Sequence, residues 1–354
     1  MIFLPRISNE VFENCEEAKL VELKEFDLHV NVQFGYYFNH SFSGAFYDPV
    51  NYQNEQAHSS FFKRHLEQVL DICKQNFSNE ANLVEIGCGK GTFLKLLREN
   101  GFTRLRGFDR AYQGDDPQIE SDYLSDRFAP LMADGVILRH VLEHVPDPVK
   151  FLESIERING KSLKFVIEVP SMDWNIKAKA YWDFGYEHAN YFTISSFKKI
   201  FRECVISEVF GDQYLLVVAD SSSLVRQSQS NSIPSDLFET ILHSSISESP
   251  ITEFAKSSNR FWVWGAGGKG VLLMFHLLKN SVEKINAPIG IVDINPAKQN
   301  RFSASSALSI VPPSYFFETV RENDSVFITN PLYQQEIIEL VVANCELKIN
   351  FSSI

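Results

Sequence analysis

The sequence has little of several things, and each shortage excludes a class of protein. Its five cysteines (Cys15, Cys73, Cys88, Cys204 and Cys345) are scattered and odd in number. No CxxC pair occurs, so neither a structural zinc site nor a disulfide framework is expected, and no metal is assigned. No apolar run approaches the roughly 18 residues that a membrane span requires, and the apolar stretch within residues 1–6 is too short for a secretion signal. These absences predict a protein of the reducing cytoplasm. Basic residues are outnumbered: 33 Lys and Arg against 45 Asp and Glu give a net charge of -12. Phosphate backbones need a basic face, so nucleic acid is excluded as a partner, and the lack of any basic tract excludes an anionic membrane surface. No short-period repeat is present.

What is there is ordinary globular composition, 44% hydrophobic and 22% charged, with an unusual 30 phenylalanines that predict aromatic packing. A chain of 354 residues has room for two domains. Residues 1–70 read as a small N-terminal cap ending in an aromatic-rich segment. From 71 to 225 strands and helices alternate: strands at 82–86, 105–109, 135–138 and 163–169, helices at 92–98 and 149–158. That rhythm predicts a doubly wound α/β domain, a parallel sheet with helices on both faces. Residues 221–234 are rich in Ser, Gln and Asn and read as a linker, the whole connection running through 226–260. A second α/β pattern occupies 261–354: strands at 261–264, 289–294 and 325–329, and a helix at 270–278. It predicts a C-terminal Rossmann-like domain with its own parallel sheet.

Residues 85–91, Glu-Ile-Gly-Cys-Gly-Lys-Gly, join the first strand to its helix. So tight a turn needs residues without a Cβ, and it lies at a strand's carboxyl end, where open parallel sheets bind ligands. Asp109 ends the next strand, where a carboxylate can accept hydrogen bonds from both hydroxyls of a ribose. Residues 133–148 then give a strand, a polar turn and a short amphipathic helix. Here the sequence resembles the class I methyltransferases, whose donor motif carries an acidic residue two positions before Gly-x-Gly. Glu85 takes that position, and the resemblance spans residues 82–169. It implies S-adenosyl-L-methionine as cofactor, with Gly87 and Gly89 close to its methionyl part and Asp109 on its ribose. Cys88, Gly91, Arg139 and His140 complete the expected donor site. On the residues alone, a Rossmann turn for NAD is the other reading.

A methyl sulfonium is already a good electrophile, so the protein must supply alignment and, for a carbon or hydroxyl acceptor, a base. Residues 181–192 are dense in suitable groups: His188 to take a proton, Glu187 to orient it, and His144 facing the same cleft. The plain alternative is that these histidines are packed core residues and that Tyr181, Trp182, Tyr186, Tyr191 and Phe192 form a wall. Across the chain the sequence resembles the sugar C-methyltransferases that act on nucleotide-linked keto-deoxysugars. The signatures are the Tyr-Glu-His-x-x-Tyr-Phe run at 186–192, the Gly-Ala-x-x-Lys-Gly turn at 265–270, and the segments 293–299 and 330–337. The resemblance implies that His188 removes a proton beside a ketone, with Glu187 and His144 assisting, and that the product belongs to polysaccharide or glycoside synthesis. Tyr52, Gln56 and Tyr191 are then expected acceptor contacts. The chain departs from that family in three places. It lacks the paired cysteines of the N-terminal zinc module. Gly185 stands where the family has a catalytic Tyr, leaving Tyr186 as the nearest phenol. His140 stands where Asn is usual. An O- or N-methyltransferase of another small metabolite therefore stays open.

The turn at 265–270 also fits GxGxxG spacing, and Asp293 ends the following strand. By itself this is an NAD fingerprint and allows an oxidoreductase. The second reading has Gly265, Lys269, Asp293 and Asn330 hold the acceptor's nucleotide. The third is a packing or dimerising domain, which would make the protein a homodimer.

Overall fold

The computed structural model describes residues 1–44, 51–226, 228, 231–246, 248–280 and 285–354. The cap segment at residues 47–49, which resembles part of the family's acceptor-closing region, lies outside the described residues.

The first α/β pattern folds as expected into a seven-stranded sheet. In spatial order its strands are Val205–Val209, Tyr214–Asp220, Lys164–Pro170, Gly135–Arg139, Asn82–Ile86, Arg104–Phe108 and Ile119–Glu120. Tyr214–Asp220 runs antiparallel to both of its neighbours, and the other pairings are parallel. Chain order reverses between Asn82–Ile86 and Gly135–Arg139, which opens a crevice at their carboxyl ends.

Helices cover both faces for reasons visible in their sequences. Ser60–Asn76 starts where Ser59 accepts a hydrogen bond from Phe62 N, and Phe62, Leu66, Val69, Leu70 and Cys73 turn inward at three- and four-residue spacing. Pro148–Asn159 is capped by Asp147, has Pro in its first turn, and stops at Gly160, whose φ is 78°. Ser60–Asn76 passes straight through position 70, so a boundary drawn there falls inside a helix.

The second sheet follows the order Val11–Phe12, Arg301–Ser303, Ser309–Val311, Ile291–Val292, Phe261–Trp264, Ser325–Ile328, Asn350–Ser353. Its last five strands are parallel, but Arg301–Ser303 runs antiparallel to both of its neighbours, so the sheet is mixed where an all-parallel one was expected. The edge strand comes from the N-terminus. A two-residue strand from so distant a segment leaves no periodicity to read.

The N-terminal region is likewise not a separate cap. Leu28–Asn31 and Tyr37–Asn39 join Asn190–Tyr191 and Ser232–Pro234 in a four-stranded sheet. Ser232–Pro234 falls in the stretch predicted as linker. It pairs through its backbone as an edge strand, and its one large apolar side chain, Ile233, is exposed.

One hydrophobic cluster ties these parts together. It unites Leu4, Val11, Phe26 and Leu28 with Tyr181, Phe184 and Tyr191 and with Phe261, Leu273 and Phe327. Phe26 meets Phe184, Tyr191 and Phe238 edge-on, with ring centroids 5.0 to 6.4 Å apart. The aromatic segment at 181–192 is thus largely wall, packed against the second large sheet and the N-terminal strands.

Candidate active site

The donor turn lies at the carboxyl end of Asn82–Ile86. Gly87, Gly89 and Gly91 all have left-handed backbones, with φ of 70°, 53° and 77°. A Cβ on Gly87 would lie 2.3 Å from Val141 Cγ2 and one on Gly91 2.6 Å from Ile119 Cδ1, whereas one on Gly89 would meet nothing within 4 Å. Two of the glycines therefore serve packing, and the third keeps a space open in front of the turn. Asp109 Oδ2 accepts from Gly89 N at 2.8 Å and Oδ1 from Ala111 N at 2.8 Å, which pins the turn to the next strand. Each oxygen keeps a second lone pair for a ribose hydroxyl.

Glu85 is buried, and among the described residues its Oε2 has no hydrogen-bond partner. Burial raises its pKa to about 7, against the opposing pull of Arg139. Cys88 and Arg139 differ from expectation. The Cys88 thiol is buried in the core cluster beneath the turn. Arg139 lies over the Phe93 ring at 4.9 Å and 3.6 Å from Glu168, so its charge serves buried carboxylates.

The carboxyl ends of both large sheets open onto a shared cavity of about 230 Å³. His140, Glu143, His144 and His188 line one side; Gly265, Gly267, Lys269, Asp293 and Asn330 line the other. Tyr52 and Gln56 reach it from the segment between them. Glu55 in that segment links the two halves. Its Oε2 accepts from Thr92 Oγ1, in the first turn of the helix that follows the donor loop, at 3.1 Å, and its carbonyl accepts from Asn295 Nδ2 at 3.2 Å.

A buried chain of polar groups backs the histidines. Glu168 accepts from His65 Nε2 at 3.1 Å and lies 2.8 Å from His140 Nε2, while His140 Nδ1 faces Glu143 Oε1 at 3.3 Å. Burial alone lowers the His140 pKa, but the carboxylates of Glu143 and Glu168 hold it up at about 9. Both carboxyls are lowered despite their burial, Glu143 with His140 as its main support and Glu168 with Arg139. His140 was expected at the donor; it sits in the shared cavity instead, with a φ of 53°.

His144 Nδ1 donates to the backbone carbonyl of Glu187 at 2.9 Å, and the His144 and His188 rings meet edge-on with centroids 5.0 Å apart. Burial, then the neighbouring His144, lowers the His188 pKa to about 3, leaving a neutral ring. The Glu187 carboxylate, expected to orient His188, accepts instead from Ser8 N at 3.0 Å and from Ser8 Oγ. Tyr186 is not in the cavity: its hydroxyl accepts from Ser43 N at 2.9 Å and donates to the Ser41 carbonyl. The Tyr191 hydroxyl donates to the Gly185 carbonyl at 2.7 Å, so its ring supports His188 from behind. Both phenols are hydrogen-bonded within the wall, where their rings are fully enclosed by the aromatic cluster.

Across the cavity the second glycine turn repeats the plan of the first. Asp293 Oδ2 accepts from Ala266 N at 2.7 Å and Oδ1 from Asn295 N at 2.8 Å. Gly270 packs the helix Gly268–Asn280 onto the strand, since a Cβ there would stand 2.2 Å from the Gly265 carbonyl oxygen; at Gly267 it would meet nothing within 4 Å. Lys269 Nζ bonds Gln213 at 2.9 Å and Asp183 at 3.2 Å and lies over the Trp174 ring. Gln213 also exchanges hydrogen bonds with Asn330. Asp183, Gln213, Glu143 and Glu168 escaped the sequence reading. Of these only Glu143 carried a local signal, its place directly before His144.

A family model described as a methyltransferase domain matches residues 41–204, the stretch that contains the donor turn and His188. Over residues 41–204 the chain is similar to methyltransferase domains. The match takes in five strands of the first seven-stranded sheet, and the cofactor that the donor motif implies is S-adenosylmethionine. Among solved structures the chain is similar to a SAM-dependent methyltransferase from Archaeoglobus fulgidus, at 18% identity over 46% of this chain and 100% of that one, with a TM-score of 0.31. A SAM-dependent methyltransferase from Aquifex aeolicus matches at 15% identity over 49% and 99%, with a TM-score of 0.34. One from Mesorhizobium loti matches at 13% over 44% and 99%, with a TM-score of 0.31. No curated protein sequence matches significantly. The turn has features that suit such a cofactor: an open cradle at Gly89, a buried Glu85 oxygen with no hydrogen-bond partner among the described residues, and spare lone pairs on Asp109. Among the described residues no helix is long and apolar enough to cross a membrane.

Proposed function

We propose that the methyltransferase acts on a nucleotide-linked keto-deoxysugar and methylates carbon beside the ketone. The observation that carries this reading is the single cavity shared by the histidine cluster and a second nucleotide-type glycine turn. The sugar lies toward His140, His144 and His188; the nucleotide lies toward Gly267, whose missing side chain leaves room for it, and toward Asp293 and Lys269. S-adenosylmethionine supplies an electrophilic methyl group on a positively charged sulfur. The protein's own part is to align the acceptor carbon and remove its proton. His188 is the base in this reading, open to the cavity, with a buried Nδ1 that has no hydrogen-bond partner among the described residues. His144 is held by the Glu187 carbonyl with Nδ1 protonated, so its Nε2 lone pair points away from that anchor. Glu187 acts at a distance, fixing Ser8 at the cavity edge and carrying His144 through its backbone. Asn330 acts through Gln213, which holds Lys269 in place. The same cluster suits a hydroxyl acceptor, and O-methylation is the second reading.

The test is transfer of labelled methyl from S-adenosylmethionine to thymidine diphosphate keto-deoxysugars, with the product located by NMR. A new carbon–methyl bond beside the former ketone is expected. Rapid methylation of free small metabolites, with none of any nucleotide-linked sugar, would remove the acceptor assignment and leave the domain assignment standing.

A further inference from the structure

We infer that Glu143, His144 and His188 form a binding site for one divalent first-row transition-metal ion, opening on the shared cavity. Each side chain offers one ligand atom, and among the described residues these atoms lie within 4.8 Å of one another. That spacing lets three donors converge on a single ion. All three residues line the cavity, so an ion there keeps a face open to the acceptor.

The polar atoms point to a missing partner. Glu143 is 1% exposed, yet among the described residues its Oε2 has no hydrogen-bond partner, and neither has the buried Nδ1 of His188. Leaving such atoms unsatisfied is costly, and a cation between them satisfies both. The surroundings resemble the outer support of a metal site rather than of a packed core. His144 donates Nδ1–H to the Glu187 carbonyl, the usual anchor for an imidazole that ligates through Nε2. Behind Glu143 stands the chain His140, Glu168, His65, drawn from two strand ends and a helix, which fixes the carboxylate in place. Two imidazoles and one carboxylate select a transition ion over magnesium or calcium, whose preferred ligands are all oxygen.

The inference rests on the methyl-transfer reading for its consequence, though not for the site itself. With the ion bound, His188 lends its lone pair to the metal, and an oxygen of the acceptor completes the coordination. The ion draws electron density from the ketone, so the neighbouring C–H bond breaks more readily. Its proton passes to solvent water, and the electron pair forms the new carbon–methyl bond as the methyl–sulfur bond breaks. His188 as base and His188 as ligand are alternatives, and metal binding separates them.

The full-length protein, stripped with chelator, is titrated with Co²⁺ and followed by its visible spectrum; Zn²⁺ and Mn²⁺ are then tested in competition, and bound metal is counted by elemental analysis. One equivalent of Co²⁺ is expected, with at least tenfold weaker binding in Glu143→Gln and in His188→Ala. Calorimetry with S-adenosylhomocysteine checks that each variant still folds a donor site, and Glu143→Gln serves alone if His188→Ala fails that check. Absence of stoichiometric Co²⁺ binding in the wild type, or equal affinity in a folded variant, overturns the inference. Because the spectrum needs no acceptor, a failed sugar assay leaves this result untouched, and a metal-free enzyme that still methylates sugars leaves His188 as base.

Discussion

Replacing Glu85 with glutamine should stabilise the protein above neutral pH and remove one component of its pH dependence. Glu85 is the penultimate residue of the strand Asn82–Ile86 and is buried, and desolvation raises its pKa from 4.5 to about 7, with Arg139 opposing. The folded state therefore holds a proton that the unfolded chain has already released, throughout the interval between those two values. Stability from this group is complete below about 4.5 and is lost as pH rises to about 7, the direction of a carboxyl whose folded pKa is raised. At about 1.4 kcal/mol per pH unit, the loss is on the order of 3 kcal/mol. Glutamine carries the neutral form's shape at every pH, so the variant keeps that stability. The assay is guanidinium unfolding of both proteins, without donor, at steps from about pH 5 to about pH 8.5, reading the difference in unfolding free energy. The difference should grow in the variant's favour up to about pH 7 and then level off. Parallel curves, or a variant less stable than wild type at the alkaline end, would show that Glu85 is not a strained buried carboxyl.

Two further outcomes follow from the geometry. Gly89→Ala places a methyl group in the open space before the donor turn at a left-handed position, so it should cost only about 1 kcal/mol of stability. Affinity for S-adenosylhomocysteine should nevertheless fall more than tenfold by calorimetry; unchanged affinity would move the donor elsewhere. Glu336→Ala removes an acceptor shared by Ser59 Oγ, Ser60 N and Phe61 N at the start of the helix Ser60–Asn76. Denaturant unfolding should register a loss of about 1 to 2 kcal/mol, and no loss would mean that solvent caps that helix as well as Glu336 does.

The sequence by itself determined the two α/β halves and the donor turn. Strand-turn-helix periodicity and a glycine turn with acidic residues before and after it are local patterns, because backbone pleat, helix pitch and the need for missing Cβ atoms act within a few residues. The positions of Gly87, Gly89, Gly91 and Asp109 needed no knowledge of the rest of the chain. Only tertiary structure decided what the polar side chains do. Glu187 is His188's neighbour in sequence but turns to Ser8, and Tyr186 turns to Ser41 and Ser43, because contacts from the N-terminal segment compete for both. Glu168 looks like one polar residue in an apolar strand until His65, Arg139 and His140 converge on it. Cysteine spacing carries no trace of the grouping of Glu143, His144 and His188, which requires a chain segment some forty residues later to fold back onto the same strand end. Local sequence writes the backbone's conformation; which charges share one low-dielectric pocket depends on distances that only the packed chain sets.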